Sequence, residues 1–357
     1  MSNDKGTIHI FLVSSPLQVI SVTNIMFQFL KSKNEDSLLF CEGERLKTQI
    51  SDETLWTQVI YGLDTRPSLN NATKNLRHNF KILSEIINEY KHVELYISDL
   101  YWLLNNIVFS ELRLKYGKDY RCTLFDEGMV LYQQNSSSLW RQCLKWLWQK
   151  TKGFKCTFIS GKQKQQKRLV SQIFAYHPTL LGHSCIPIQT LNPELLKHSF
   201  EQLMDSASIG LAPNQFPEGG LLYLSQPYYR VMPLENFKEL IERMVTYFRA
   251  QGIKDFYIKP HDADSQAWIA SLEKDYGFIP FTKVRSGIAI ETLATRLKFD
   301  IVVSIGSSAL LNLKLFGFRH NVISYGLTET AKNHSSLRRA HQAIKRLYVS
   351  LNVSMIN

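Results

Sequence analysis

Short β-rich runs alternate with helix-length stretches along this chain, and the alternation occurs twice, once on each side of an irregular segment. Strands separated by helices of more than ten residues cannot close as hairpins. The crossovers make them parallel, and a parallel sheet must be covered on both faces. The first series predicts strands over 7–13, 37–41, 56–63, 93–98 and 120–125, with helices over 17–30, 72–90 and 101–116. Ser14, Ser15 and Pro16 supply a cap and a first-turn proline for the first helix. The second series predicts strands over 221–225, 254–258, 299–304 and 320–325, and helices over 233–250, 265–276, 288–297 and 307–316. Between the two series, DSASIGLAPNQFPEGG breaks the pattern with Ser, Pro and Gly and marks a domain boundary. The expected organisation is therefore α/β: two doubly wound Rossmann-like domains, 1–205 and 221–357, joined by a linker over 206–220. The second domain closes on a basic helix carrying Arg338, Arg339, Lys345 and Arg346.

A chain of 357 residues has enough material for two cores. Its five cysteines are scattered and form no CxxC pair, which argues against a disulfide framework and a zinc site and favours a reducing cytoplasm. No cleavable signal follows Asp4, and no apolar run reaches the ~18 to 20 residues a membrane span needs. The sequons at Asn71, Asn135, Asn333 and Asn352 are then chance matches. The net charge of +11 asks for an anionic partner. Residues 140–168 interleave Trp140, Trp146, Trp148 and Phe154 with nine Lys and Arg. This patch has two readings: peripheral contact with the anionic inner membrane, or a solvated helix whose tryptophans belong to the core. Nucleic acid is set aside, because no recognised binding module surrounds the patch.

In open parallel sheets, ligands bind beyond the carboxyl ends of the strands. Four places qualify, and none carries GxGxxG or a Walker loop. Asp126-Glu127-Gly128 puts adjacent carboxylates at a strand tip; one can face a ligand and deprotonate a sugar hydroxyl while the other braces the loop, or both are simply solvated. Lys259-Pro260-His261-Asp262 places a histidine and a cation where a departing phosphate can be met. His177-Pro178 looks alike, but no clear strand leads into it, and it reads as a turn. Gly306-Ser307-Ser308 opens a helix with backbone N–H groups and two hydroxyls, which suits a phosphate or a plain serine cap. Glu291 stands at a helix start, where it can hold a ribose diol or complement the helix dipole.

Taken in order, these signals resemble the bacterial sialyltransferases with (D/E)(D/E)G and HP motifs, the lipooligosaccharide sialyltransferases and capsule polysialyltransferases. Ser15-Pro16-Leu17-Gln18 is similar to the (T/S)PLQ of many lipooligosaccharide-type members, and the sequence departs from the pattern at Asp262, where the family has proline. The resemblance implies a GT-B fold with two domains facing a central cleft, a CMP-sialic acid donor, a glycan or glycolipid acceptor, inversion, and no metal or other cofactor. Carried over by position, Glu127 is the general base with Asp126 the less favoured candidate. His261 holds or protonates the CMP phosphate, Ser307 and Ser308 bind that phosphate, and Glu291 binds the ribose. Asp262 keeps open a transferase for another nonulosonate or a UDP-hexose, and a noncatalytic membrane-associated scaffold is the alternative of a different class.

Overall fold

The computed structural model describes residues 5–65, 69–117, 120–132, 139–159, 168–181, 185–196, 200, 216–230, 232–261, 263–281, 289–333 and 335–357. Residues 201–215, which include 206–215 of the expected linker, Asp262 and Ile288 lie outside the described residues, as do 160–167 of the basic patch. The chain divides into two compact units, 1–199 and 200–357.

The first unit runs β1 (Lys5–Val13), α1 (Pro16–Ile25), β2 (Asp36–Glu42), β3 (Gln58–Gly62), α2 (Leu69–Ile87), β4 (Tyr90–Ile97), α3 (Leu103–Tyr116), β5 (Arg121–Phe125), α4 (Met129–Tyr132), α5 (Leu139–Thr151), β6 (Gln172–Ala175) and β7 (Ile188–Thr190). Its strands lie in the order β3-β2-β1-β4-β5-β6-β7, with parallel pairing throughout. The order reverses between β1 and β4, which makes that junction the switch point where such sheets bind ligands. β1 is apolar on both faces, with Ile10, Phe11, Leu12 and Val13 all buried, because helices cover both sides of the sheet. α1 starts where its capping residues place it: Ser15 accepts from the Gln18 backbone N–H and Pro16 occupies the first turn. It continues into a single π turn over Met26–Leu30.

The second unit runs β8 (Leu221–Leu224), α6 (Leu234–Ala250), β9 (Phe256–Lys259), α7 (Gln266–Tyr276), β10 (Ile279–Pro280), β11 (Ile301–Ser304), α8 (Ala309–Leu315), β12 (Asn321–Tyr325), α9 (Leu327–Asn333), α10 (Ser335–Ser350) and β13 (Ser354–Ile356). The sheet order β10-β9-β8-β11-β12-β13 is again parallel, with its own switch point between β8 and β11. Phe237, Leu240 and Met244 of α6 fill one face together with Tyr223, Ile258, Trp268 and Val303.

Three local expectations are corrected. The helix expected over 288–297 is one 3₁₀ turn, Ile290–Leu293, where the Thr292 hydroxyl donates to the Ala289 carbonyl oxygen at 2.6 Å and competes with α-helical bonding. The helix expected from 307 begins at Ala309, leaving Ser307 and Ser308 before it. The helix expected to run to residue 90 stops at Ile87, and Tyr90 opens β4.

Candidate active site

The carboxyl ends of β1, β4 and β5 bring together residues that are more than a hundred positions apart. After β5, Asp126 is buried and both of its oxygens are occupied: Oδ1 accepts from Gly128 N–H at 2.7 Å, while Oδ2 accepts from Tyr176 N–H at 3.0 Å and from the Tyr132 hydroxyl. Gly128 makes that turn at φ 98°, which a side chain would strain. Burial raises the Asp126 pKa to about 6, and it also lifts the Tyr132 hydroxyl well above its usual range. Asp126 is thus a brace for the loop.

Glu127 is half-buried, and its carboxylate accepts from the Gln18 side-chain amide. Gln18 is held in turn on both sides. Its Oε1 accepts from Ser14 N–H at 2.6 Å, and its Nε2 also donates to the Ser98 hydroxyl at 2.9 Å. Burial, and then the like charge of Asp99, push the Glu127 pKa up to about 8; the bonds from Gln18 and Ser98 oppose that shift. Ser15, the other expected residue here, caps α1.

Asp99, Ser98, Lys145 and Arg45 are participants that sequence reading missed. Asp99 Oδ1 accepts from the backbone N–H of Trp102 at 2.7 Å and of Tyr101, and burial raises its pKa. Lys145 of α5 donates to the Tyr101 carbonyl oxygen, and Arg45 donates to that of Ser14. The signal available in the sequence was position alone: Ser98-Asp99 directly follows β4, as Asp126-Glu127 follows β5.

His177-Pro178 is also corrected. β6 leads directly into it, beside β5, and the His177 backbone N–H donates to the Tyr132 hydroxyl at 3.1 Å. Burial lowers the pKa of its ring, and its buried Nε2 has no hydrogen-bond partner among the described residues. Gln172–Ala175 is only four residues long and opens on a polar glutamine, so it does not stand out as a strand.

In the second unit, His261 follows β9 and is exposed. Its Nδ1 accepts from Ala263 N–H at 3.1 Å, which leaves Nε2 to carry the hydrogen of the neutral ring. Its backbone N–H donates to Asp264 Oδ2 at 2.8 Å. Lys259, the last residue of β9, is close enough to stabilise the ionised form of Glu291, although burial dominates there and raises the Glu291 pKa. Glu291 is buried, with Asn312 Nδ2 at 3.4 Å from Oε1. Ser307 is buried and its hydroxyl accepts from Ala309 N–H at 3.2 Å, while Ser308 makes no side-chain cap bond. Gly306 lies two residues past the end of β11, where a Cβ would lie 2.9 Å from the Tyr228 hydroxyl, so a side chain there would require that ring to shift. Lys259, His261, Gly306, Ser307 and Ser308 therefore all follow or end strands along one sheet edge. Among the described residues, no three His, Cys, Asp or Glu side chains form a metal-binding group, and no helix is long and apolar enough to cross a membrane.

Solved structures far away in sequence share this architecture. The UDP-GlcNAc 2-epimerase of Methanocaldococcus jannaschii, in complex with UDP-GlcNAc and UDP, is similar with a TM-score of 0.56 at 11% identity, over 96% of this chain and 92% of that one. A putative UDP-N-acetylglucosamine 2-epimerase from Listeria monocytogenes gives 0.52 at 9% identity, over 99% and 91%. The MnaA–UDP structure from S. aureus gives 0.51 at 11%, over 98% and 91%. These likenesses establish the fold, which is GT-B with two Rossmann-like units. No curated protein matches the sequence. The family model of the alpha-2,8-polysialyltransferases (POLYST) matches residues 9–325, a span that runs from β1 to β12 and includes every site residue discussed above. The chain belongs to that family and is a glycosyltransferase, specifically a sialyltransferase, with a nucleotide-sugar donor and a glycan acceptor.

Proposed function

We propose that this enzyme transfers sialic acid from CMP-sialic acid to a hydroxyl of a bacterial surface glycan, lipooligosaccharide, O-antigen or capsule, with inversion and without a metal ion. The observation that carries this reading is Glu127: a carboxyl at the switch point, oriented by Gln18 and kept basic by burial and by Asp99. A base with a pKa near the working pH is what removal of a sugar hydroxyl proton requires. The acceptor oxygen forms its bond to the anomeric carbon while the bond from that carbon to the phosphate oxygen breaks. The electron pair leaves on CMP and the hydroxyl proton goes to Glu127. One displacement of this kind inverts the centre.

On the donor side, the Nε2–H of His261 donates to the departing phosphate and Lys259 adds positive charge. Ser308 and the backbone around Gly306 offer further hydrogen bonds, while Glu291 accepts from the ribose. The substrate's charge changes mainly at the phosphate, so fixed donors there do most of the work. The test is calorimetric titration of CMP, UMP and GMP into the protein with EDTA present. CMP is expected to bind selectively, and more weakly to the His261→Ala variant. Preference for UMP or GMP, or binding of none of the three, would overturn the CMP-linked donor and the roles given to His261 and Lys259.

A further inference from the structure

The helix α5 packs partly buried Cys143, Trp146 and Trp148 inward, with Trp146 edge-on to Phe158 at 6.0 Å, yet it also turns an apolar face outward. An ordinary surface helix turns its apolar stripe inward and its polar face to water. In α5, Gln149 is buried at 3% exposure and Lys145 reaches inward to the Tyr101 carbonyl oxygen, while Trp140, Leu144 and Leu147 are 69%, 47% and 49% exposed. At ~100° per residue these three project within an arc of about 60°. They therefore form one face, which the core of this unit does not cover.

The charge around that face is of one sign. Arg141 and Lys150 are exposed along its borders and Lys152 is exposed just past the helix, and Arg77 of α2 donates to the Lys152 carbonyl oxygen at 3.0 Å, which brings a fourth cation to the carboxyl end of the helix. The sequence contains no Asp or Glu between Glu127 and Glu194, whereas nine Lys and Arg fall in that interval, against a net charge of +11 for the whole chain. Such a rim repels a second copy of itself. It complements a surface that is apolar within and anionic at its border, which describes the headgroup zone of a phospholipid bilayer.

We propose that the outward face of α5 docks this protein on an anionic lipid surface, with Trp140, Leu144 and Leu147 entering the headgroup–acyl boundary and Arg141, Lys150 and Lys152 meeting lipid phosphates. The proposal is independent of which sugar is transferred. It holds the enzyme where a lipid-anchored glycan would present its hydroxyl.

Co-sedimentation with vesicles tests it, using pure phosphatidylcholine and phosphatidylcholine with 30% phosphatidylglycerol, each at low and high salt. The protein is expected to sediment with the anionic vesicles at low salt and to be partly released by high salt, because screening weakens the cationic contacts and leaves the apolar ones. The variant Trp140→Ser/Leu144→Ser/Leu147→Ser alters only exposed positions, so its circular dichroism and transfer to a soluble acceptor should match the parent while vesicle binding falls at least tenfold. Lys150→Gln/Lys152→Gln should reduce the preference for anionic over neutral vesicles. Absence of binding to anionic vesicles at low salt would overturn the proposal, as would undiminished binding by the triple variant. A dimer in analytical ultracentrifugation that the triple variant converts to monomer would also overturn it, by giving this face to self-association.

Discussion

Glu127 is a carboxyl that folding keeps protonated to a higher pH than usual, and that has a kinetic signature. Its pKa is raised to about 8, first by burial and then by Asp99. As a general base it must be ionised, so kcat/KM should rise with pH along a limb governed by this group. Removing the like charge lowers a raised carboxyl pKa, so Asp99→Asn should move that limb to lower pH, by about one unit. Glu127→Gln should eliminate the limb and cut turnover by ~10² to 10⁴ while leaving CMP binding intact. A pH profile that Asp99→Asn leaves in place would remove Asp99 from the site. The sequence reveals Glu127 because a strand tip with two acids and a glycine is a local pattern, and Gln18 because it belongs to a motif. It hides Asp99, whose role as acceptor for the Tyr101 and Trp102 N–H groups looks like an ordinary loop acid until β4 and β5 pair.

At the scale of elements, β1 and β4 are tied by side chains as well as by their ladder. His9 is buried in β1; its Nε2 lies 2.8 Å from Glu35 Oε2 and its Nδ1 lies 3.4 Å from Glu94 Oε2 in β4. The hydrogen bond from His9 is the main reason the Glu94 pKa is held down to about 2. A depressed carboxyl pKa stabilises the folded state above its unfolded value, near 4.5, and that stability is lost as pH falls towards 2. Glu94→Gln should therefore cost on the order of 1 kcal/mol in urea denaturation at pH 7, since solvent screens this partly exposed group, with the deficit shrinking below pH 4.5. A deficit independent of pH would assign the effect to packing instead. The elements legible in the sequence are those whose apolar runs are long enough to be covered on both sides, such as β1 and β2. β7 and β13 have only three residues each, too short a run to mark a strand, so neighbouring strands rather than their own composition place them. The apolar spacing around Ile290–Leu293 suits a longer helix, whereas Thr292 bonds back to the chain and leaves one turn.

For the whole molecule, the two sheets repeat one plan, and the proposed mechanism divides its labour between them. The carboxylate cluster with Gln18 belongs wholly to residues 1–199, and the residues assigned to the donor phosphate and ribose belong wholly to 200–357. The doubling was legible because the alternation restarts after an irregular segment, and a Rossmann-like sheet of six or seven strands closes its own core. A nucleotide should then stabilise one sheet much more than the other. A ligand that binds only the folded form adds RT ln(1 + [L]/Kd), about 2.7 kcal/mol at a hundredfold excess over Kd. Hydrogen exchange followed by mass spectrometry resolves where that energy goes, since protected amides open with the local stability of their own unit. With CMP present, peptides spanning β8, β9, β11 and α8 should exchange on the order of a hundredfold more slowly, and peptides spanning β1, β4 and β5 should change little. Slowing confined to residues 1–199 would place the nucleotide on the Glu127 side and reverse the assignment of donor and acceptor units.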